Sequence, residues 1–173
     1  NGRDHRKLIV IDGCIAYTGG INISKRYSNL KEYNNKRFWR DTHIRIVGDA
    51  VKSFELQFFN IWKFVSKQKD DFLDEIFICD NHITDNKLLT QLVDSGPDSE
   101  FQSILNFLHI AITNAQKEIL IQTPYFLPPE ELYSALETAA LSGVKVKIMI
   151  PKICDYKIVN HACRSYLEKL SEV

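Results

Sequence analysis

His5-Arg6-Lys7-Leu8-Ile9-Val10-Ile11-Asp12-Gly13-Cys14-Ile15-Ala16-Tyr17-Thr18-Gly19-Gly20-Ile21-Asn22 is the stretch that decides the reading. Residues 7–11 and 14–18 are β-rich runs. Asp12-Gly13 between them predicts a two-residue hairpin, because glycine accepts a positive φ. Gly19-Gly20 then ends the second strand. Side chains alternate faces along a strand, so His5 and Lys7 point the same way, about 7 Å apart. An imidazole beside an ammonium suits one phosphoryl group. The imidazole can attack phosphorus or move a proton. The ammonium can hold a non-bridging oxygen. The Gly-Gly backbone and the Asn22 amide can donate to the same anion. A plain, solvated strand start also accounts for His5 and Lys7, and from these residues alone both readings stand.

Working outward, Asn22 and Ser24 can cap a short helix over 27–30, and 31–38 is polar and basic, as in a loop. A strand is expected at 41–47, ending at Gly48, with Asp49 as an N-cap. From 50 to 65 the apolar residues Val51, Phe54, Phe58, Ile61, Trp62 and Val65 recur at helical spacing, which reads as a core-facing stripe. The charged run 66–75 is the expected boundary. Strands at 76–79 and 88–93 follow, with a turn at Ser95-Gly96-Pro97. The pattern then becomes regular: helix 101–116, strand 118–123, helix 129–141 stopped by Gly143, strand 144–150, helix 156–170. Strands alternating with helices imply parallel pairing through crossovers.

Composition narrows the class. The chain has 173 residues, 45% hydrophobic and 25% charged, which excludes a disordered or low-complexity segment. No apolar run reaches the roughly 18 residues of a membrane span. The chain lacks an initiator Met and a signal pattern, so it is expected to be an excised piece of a longer parent. Residues 1–45 carry 10 Lys/Arg against 4 Asp/Glu, while 46–173 carry 12 against 18. That asymmetry suggests a local anionic ligand more than a polyanion-coating surface, and a solvated basic face accounts for the charge equally well. Cys14, Cys79, Cys154 and Cys163 form no C-x-x-C pair and no zinc spacing, and are expected to be free thiols in a reducing compartment.

The longer pattern resembles a known family. H-x-K-x4-D-x6-G-G-x-N is the signature of the phospholipase D superfamily, and His5, Lys7, Asp12, Gly19, Gly20 and Asn22 fit it. Surrounding stretches are similar to its cardiolipin synthase branch. They include Phe38-Trp39-Arg40-Asp41-Thr42-His43-Ile44-Arg45-Ile46, Ser95-Gly96-Pro97-Asp98-Ser99, Gln122-Thr123-Pro124-Tyr125-Phe126-Leu127-Pro128 and Ile148-Met149-Ile150-Pro151.

This resemblance implies an α/β fold of α-β-α layers with a mixed, largely parallel sheet, here as an incomplete two-lobed fold. Residues 1–75 are then the C-terminal part of the first lobe and 76–173 the N-terminal part of the second. It also implies a phosphatidyltransferase that passes a phosphatidyl group between two phosphatidylglycerols through a phosphohistidine and releases glycerol, with no cofactor and no metal. His5 is the expected nucleophile and Lys7 its phosphate-holding partner. Asp12 is the structural member of the catalytic set, expected to bond the turn backbone. Asn22 and Gly20 bind phosphate, and Asp41 orients His5. Expected partners are an anionic phospholipid at a membrane surface and no nucleic acid. The parent is expected at the cell membrane, its catalytic part facing the cytoplasm. A hydrolytic phosphodiesterase or nuclease, with water as acceptor, is the alternative.

The chain departs from the family in one respect: His43, His82, His109 and His161 lack a Lys two residues later, so no second motif is present. The isolated chain is therefore expected to be inactive and to self-associate through exposed apolar surface. His43 alternates with Ile44 and Ile46 and reads as a satisfied strand histidine, with a place facing the cleft beside Arg45 as the alternative. Tyr125 or Phe126 is a candidate lining residue at a strand end. Arg3, Arg6 and Arg40 are candidates to meet anionic headgroups.

Overall fold

The hairpin is present in the computed structural model, which describes residues 4–28, 40–67, 76, 79, 88–96, 101–152 and 156–173, residue 26 by its backbone. β1 (Leu8–Ile11) and β2 (Ile15–Gly19) pair antiparallel, with Ile11 opposite Ile15. The connection is one residue longer than expected, because Cys14 leaves the ladder and donates its N–H to the Ile11 carbonyl at 3.0 Å. Asp12 and Gly13 have φ of 52° and 59°, the two positive values that a type I′ turn requires. The short helix expected after Ser24 is a 3₁₀ turn, Lys25–Tyr27. β3 (His43–Val47) pairs antiparallel with the other edge of β2, giving the order β1-β2-β3.

Val10, Ala16 and Ile46 stand in one row across these strands. Ala16 is fully buried in a core completed by Val51 and Phe54 of α1 (Val51–Ser66), with Leu8 and Leu92 packed against it. Full burial of each large apolar side chain is worth about 1.5–3 kcal/mol, which is what fixes the start of α1 to the sheet. Asp49 does not cap this helix. Ala50 occupies the N-cap, and the Val51 N–H bonds the Gly48 carbonyl at 2.9 Å instead. The stripe expected to be core is core only at its start. Phe58 is 43% exposed and Trp62 51%, their rings stacked at 6.0 Å. Strand length explains this: a five-residue strand spans about 17 Å and a 16-residue helix about 24 Å, so the sheet cannot cover the last turns.

Cys14 and Cys79 form a disulfide across 65 residues, with Cα atoms 5.1 Å apart. This overturns the expectation of free thiols for these two. Linear spacing could not show the pairing, because the hairpin turn is what carries Cys14 to Cys79. Cys163 is free and buried.

The second compact unit, Val93–Val173, follows the first, Asn1–Leu92. Its elements are α2 (Ser103–Thr113), β4 (Glu118–Gln122), α3 (Glu130–Leu141), β5 (Lys145–Met149) and α4 (Lys157–Leu170). β4 and β5 pair in parallel from Glu118–Lys145 to Gln122–Met149, joined by α3. Ile119, Ile121, Val146 and Ile148 alternate inward onto a core of Ile112, Phe126, Ala135, Leu136, Ala139, Val144, Cys163 and Leu170. The fold is thus mixed α/β, antiparallel in the first unit and parallel in the second. By compactness the first unit runs to Leu92, with Cys79 bonded to Cys14 and Leu92 packed on the Ala16 core. The strand expected at 88–93 does not form: these residues are irregular, and Leu88 and Leu89 are exposed. No described strand lies alongside to supply a ladder. Residues 77–78 and 97 of the expected strand 76–79 and turn 95–97 lie outside the described residues.

Candidate active site

The site residues gather around one end of the antiparallel sheet. Leu8 pairs with Thr18, and Gly19, next along β2, pairs with His43. Lys7 immediately precedes Leu8, so the register brings Lys7, Gly19 and His43 to the same end. Just outside the strand, the Arg6 N–H donates to Asp4 Oδ1 at 2.9 Å, and the Arg6 guanidinium pairs with the same oxygen at 3.0 Å. The Arg6 backbone N–H, helped by its guanidinium against the opposing effect of burial, holds the Asp4 carboxyl below its ordinary value. The Lys7 ammonium donates to the His5 carbonyl. His5 itself is exposed and Lys7 half-buried.

Gly19 and Gly20 have a specific steric role. A Cβ on Gly19 would lie 2.3 Å from the Thr42 carbonyl oxygen, and its φ is +148°. A Cβ on Gly20 would lie 2.4 Å from Asp41 Oδ1. The missing side chains let the residues leading into β3 come against the end of β2, where the Gly20 N–H donates to the Thr42 carbonyl at 3.0 Å. Asp41 is thereby set beside Gly20. Asn22 donates from Nδ2 to the Tyr27 hydroxyl at 2.6 Å. Tyr27, on the 3₁₀ turn, is a contributor that sequence reasoning missed; a phenol five residues after the amide was the only signal. Asp12 does not join this group. It lies at the far end of β1, about 16 Å from Lys7 by strand rise, exposed and with no side-chain hydrogen bond among the described residues.

In the second unit, the segment after β4 is held by Phe126, whose N–H donates to Cys163 Sγ at 3.2 Å. Phe126 is a core residue, 4% exposed, which removes it as a lining candidate; Tyr125 is exposed. Arg40 and His161 are exposed. Arg3 and His82 lie outside the described residues. Among the described residues, no group of three His, Cys, Asp or Glu is placed to hold a metal ion. No helix among them is long and apolar enough to cross a membrane.

Known proteins similar to this chain are of one kind. Residues 108–173 match the family model described as cardiolipin synthase, PLD-like domain. A protein of Oceanobacillus iheyensis named cardiolipin synthase is 43% identical over 168 residues, covering 96% of this chain and 34% of the relative. Proteins of the same name from Geobacillus kaustophilus and Clostridium perfringens are 38% and 40% identical, covering 99% and 98% of the chain. The chain spans about a third of the length of these curated relatives. By these comparisons the chain is similar, along nearly its whole length, to about a third of the length of cardiolipin synthases, and over residues 108–173 to their PLD-like domain.

Proposed function

We propose that the whole protein is a phosphatidyltransferase that makes cardiolipin from two phosphatidylglycerols. A His5 ring nitrogen attacks phosphorus, and the bond from phosphorus to the departing glycerol oxygen breaks. That oxygen takes a proton from a second histidine, supplied by another part of the protein. The hydroxyl of a second phosphatidylglycerol then attacks the phosphohistidine, gives up its proton to that second histidine, and frees His5. Lys7 and Asn22 hold the phosphoryl oxygens beside Gly20, whose own N–H is taken by the Thr42 carbonyl; Asp41 orients His5; Asp12 supports the hairpin. Residues 1–75 are the end of a first lobe and 76–173 the start of a second. The protein works at the cell membrane on anionic phospholipid, without metal or cofactor.

The observation that carries this reading is the convergence of Lys7, Gly19, Gly20 and the residues leading into β3 at one sheet end, on a motif of six fixed positions. The test is His5→Ala in the full-length protein, with trapping of a labelled phosphatidyl donor. Loss of turnover and an acid-labile, base-stable adduct on His5 are expected. A label on another residue, or retained turnover, overturns the assignment. Turnover unchanged by EDTA is also expected.

Water in place of the acceptor hydroxyl gives the hydrolytic alternative, which the same site chemistry permits. Product analysis on phosphatidylglycerol vesicles separates the two: cardiolipin for the transferase, phosphatidic acid for hydrolysis. The isolated chain supplies one His–Lys pair, and loss of a positioned acid costs roughly a hundred- to ten-thousand-fold. It is expected to be inactive. It is also expected to self-associate, since Phe58, Trp62, Phe64 and Val65 are exposed on the later turns of α1. Sedimentation velocity checks this, and a clean monomer counts against it.

A further inference from the structure

We infer that His43 is a further phosphate-contacting residue of the same site, acting as a fixed hydrogen-bond donor from Nε2. The inference rests on the functional reading above, which gives His43 no role.

His43 Nδ1 is buried and has no hydrogen-bond partner among the described residues. Nε2 is not among the buried, unpartnered atoms. A neutral imidazole carries its one proton on one nitrogen and a lone pair on the other. A sealed N–H without an acceptor loses its water hydrogen bond and regains nothing, and buried orphan donors are accordingly rare. The proton therefore belongs on Nε2, the nitrogen that is not sealed. The seal is Gly19: a Cβ there would lie 2.8 Å from His43 Nδ1. Any other residue at this position would push the ring out of its seat.

Register supplies the second part. Gly19 is directly opposite His43 on one side of β2. On the other side the pair Leu8–Thr18 makes Lys7 the next residue in line with Gly19. Residues opposite one another across a sheet share a face, so Lys7 and His43 flank a position that has no side chain. Two strand spacings set their backbones about 10 Å apart. With the Lys7 ammonium turned from the His5 carbonyl, to which it donates in the free chain, one phosphoryl group fits over Gly19 with a cation on one flank and a neutral donor on the other. His43 thus supplies a directed N–H where Lys7 supplies a point charge.

The experiment uses this chain, labelled with ¹⁵N at histidine, and inorganic phosphate as probe. Long-range ¹H–¹⁵N spectra of the free chain are expected to show His43 as the Nε2–H tautomer. Phosphate titration is expected to shift the rings of His5 and His43 along one binding curve. Gln places an amide nitrogen near the Nε2 position and Asn near Nδ1. His43→Gln is therefore expected to bind phosphate within about twofold of the parent, and His43→Asn about tenfold more weakly, the scale of one lost hydrogen bond to a charged group. The Gly19 and Gly20 amide resonances report whether each variant keeps the local fold. An Nδ1–H tautomer overturns the inference. So does a His5 response without a His43 response, or equal affinities for Gln and Asn variants with the fold intact; these outcomes leave the functional reading standing. No response from either ring overturns both.

Discussion

Opening the Cys14–Cys79 bond removes the longest covalent constraint within the first unit, and its effect can be worked from the loop it closes. The bond spans 65 residues, for which the chain-entropy relation gives about 4 kcal/mol at 25 °C. With a urea dependence of about 2 kcal/mol per molar, the midpoint falls by about 2 M on reduction. The chain's two tryptophans, Trp39 and Trp62, both lie in the unit Asn1–Leu92, so indole fluorescence follows the unit that holds the bond. The assay is urea unfolding of the oxidised chain, of the same chain in excess reductant, and of the Cys14→Ser/Cys79→Ser double variant. Reduced and double-variant chains are expected to unfold together, well below the oxidised chain. Coincident midpoints for all three refute the reasoning. So does a urea-unfolded, unreduced chain that titrates with four free thiols.

Gly19→Ala is expected to cost about 3 kcal/mol, since it combines a backbone clash at 2.3 Å with a positive φ. Gly48→Ala, with nothing within 4 Å and φ +98°, meets only the φ penalty and loses about 1 kcal/mol; urea midpoints compare the two. Leu136→Ala, at a side chain 1% exposed, should destabilise the second unit by about 3 kcal/mol, read by far-UV circular dichroism. Asp4 titrates below its ordinary 3.8 in the folded chain, so its contribution is complete above that value and is lost only as pH falls through the lowered pKa. Arg6→Ala should return the Asp4 pKa only partway in an NMR titration, because the largest cause is a backbone N–H that alanine keeps.

Local rules made much of this fold legible. Asp12-Gly13 announces the turn because few residue pairs tolerate two positive φ values, and the structure uses both. The inward Ile119, Ile121, Val146 and Ile148 follow a period of two, so β4 and β5 stood out between helices. What was not legible depends on distant chain. The Cys14–Cys79 pair, the approach of Asp41 and His43 to Gly20 and Gly19, and the burial of Phe54 without Phe58 or Trp62 each require knowing which segment lies opposite. Leu88-Leu89 shows the converse error. Their composition suits a strand, yet a strand exists only where a neighbour completes its ladder. Within the site, His5, Lys7 and Asn22 stand out through the resemblance of their longer motif, since His5 and Lys7 alone read equally as a solvated strand start. Tyr27 and the sealed Nδ1 of His43 emerge only from three-dimensional contacts.

The meander order β1-β2-β3 has a consequence for the route by which the first unit forms. β1 and β2 join through a short turn and Val51 and Phe54 follow within eight residues of β3, so the connection between β2 and β3, residues 20–42, is the one longer closure these pairings need. The Cys79 thiolate can find Cys14 only once the turn has presented it, and thiol chemistry, at seconds to hours, is far slower than hairpin formation, at microseconds. The disulfide is therefore a late lock on a shape already reached. It slows escape from the native basin more than it speeds entry, and kinetic persistence rather than folding speed is what oxidation confers.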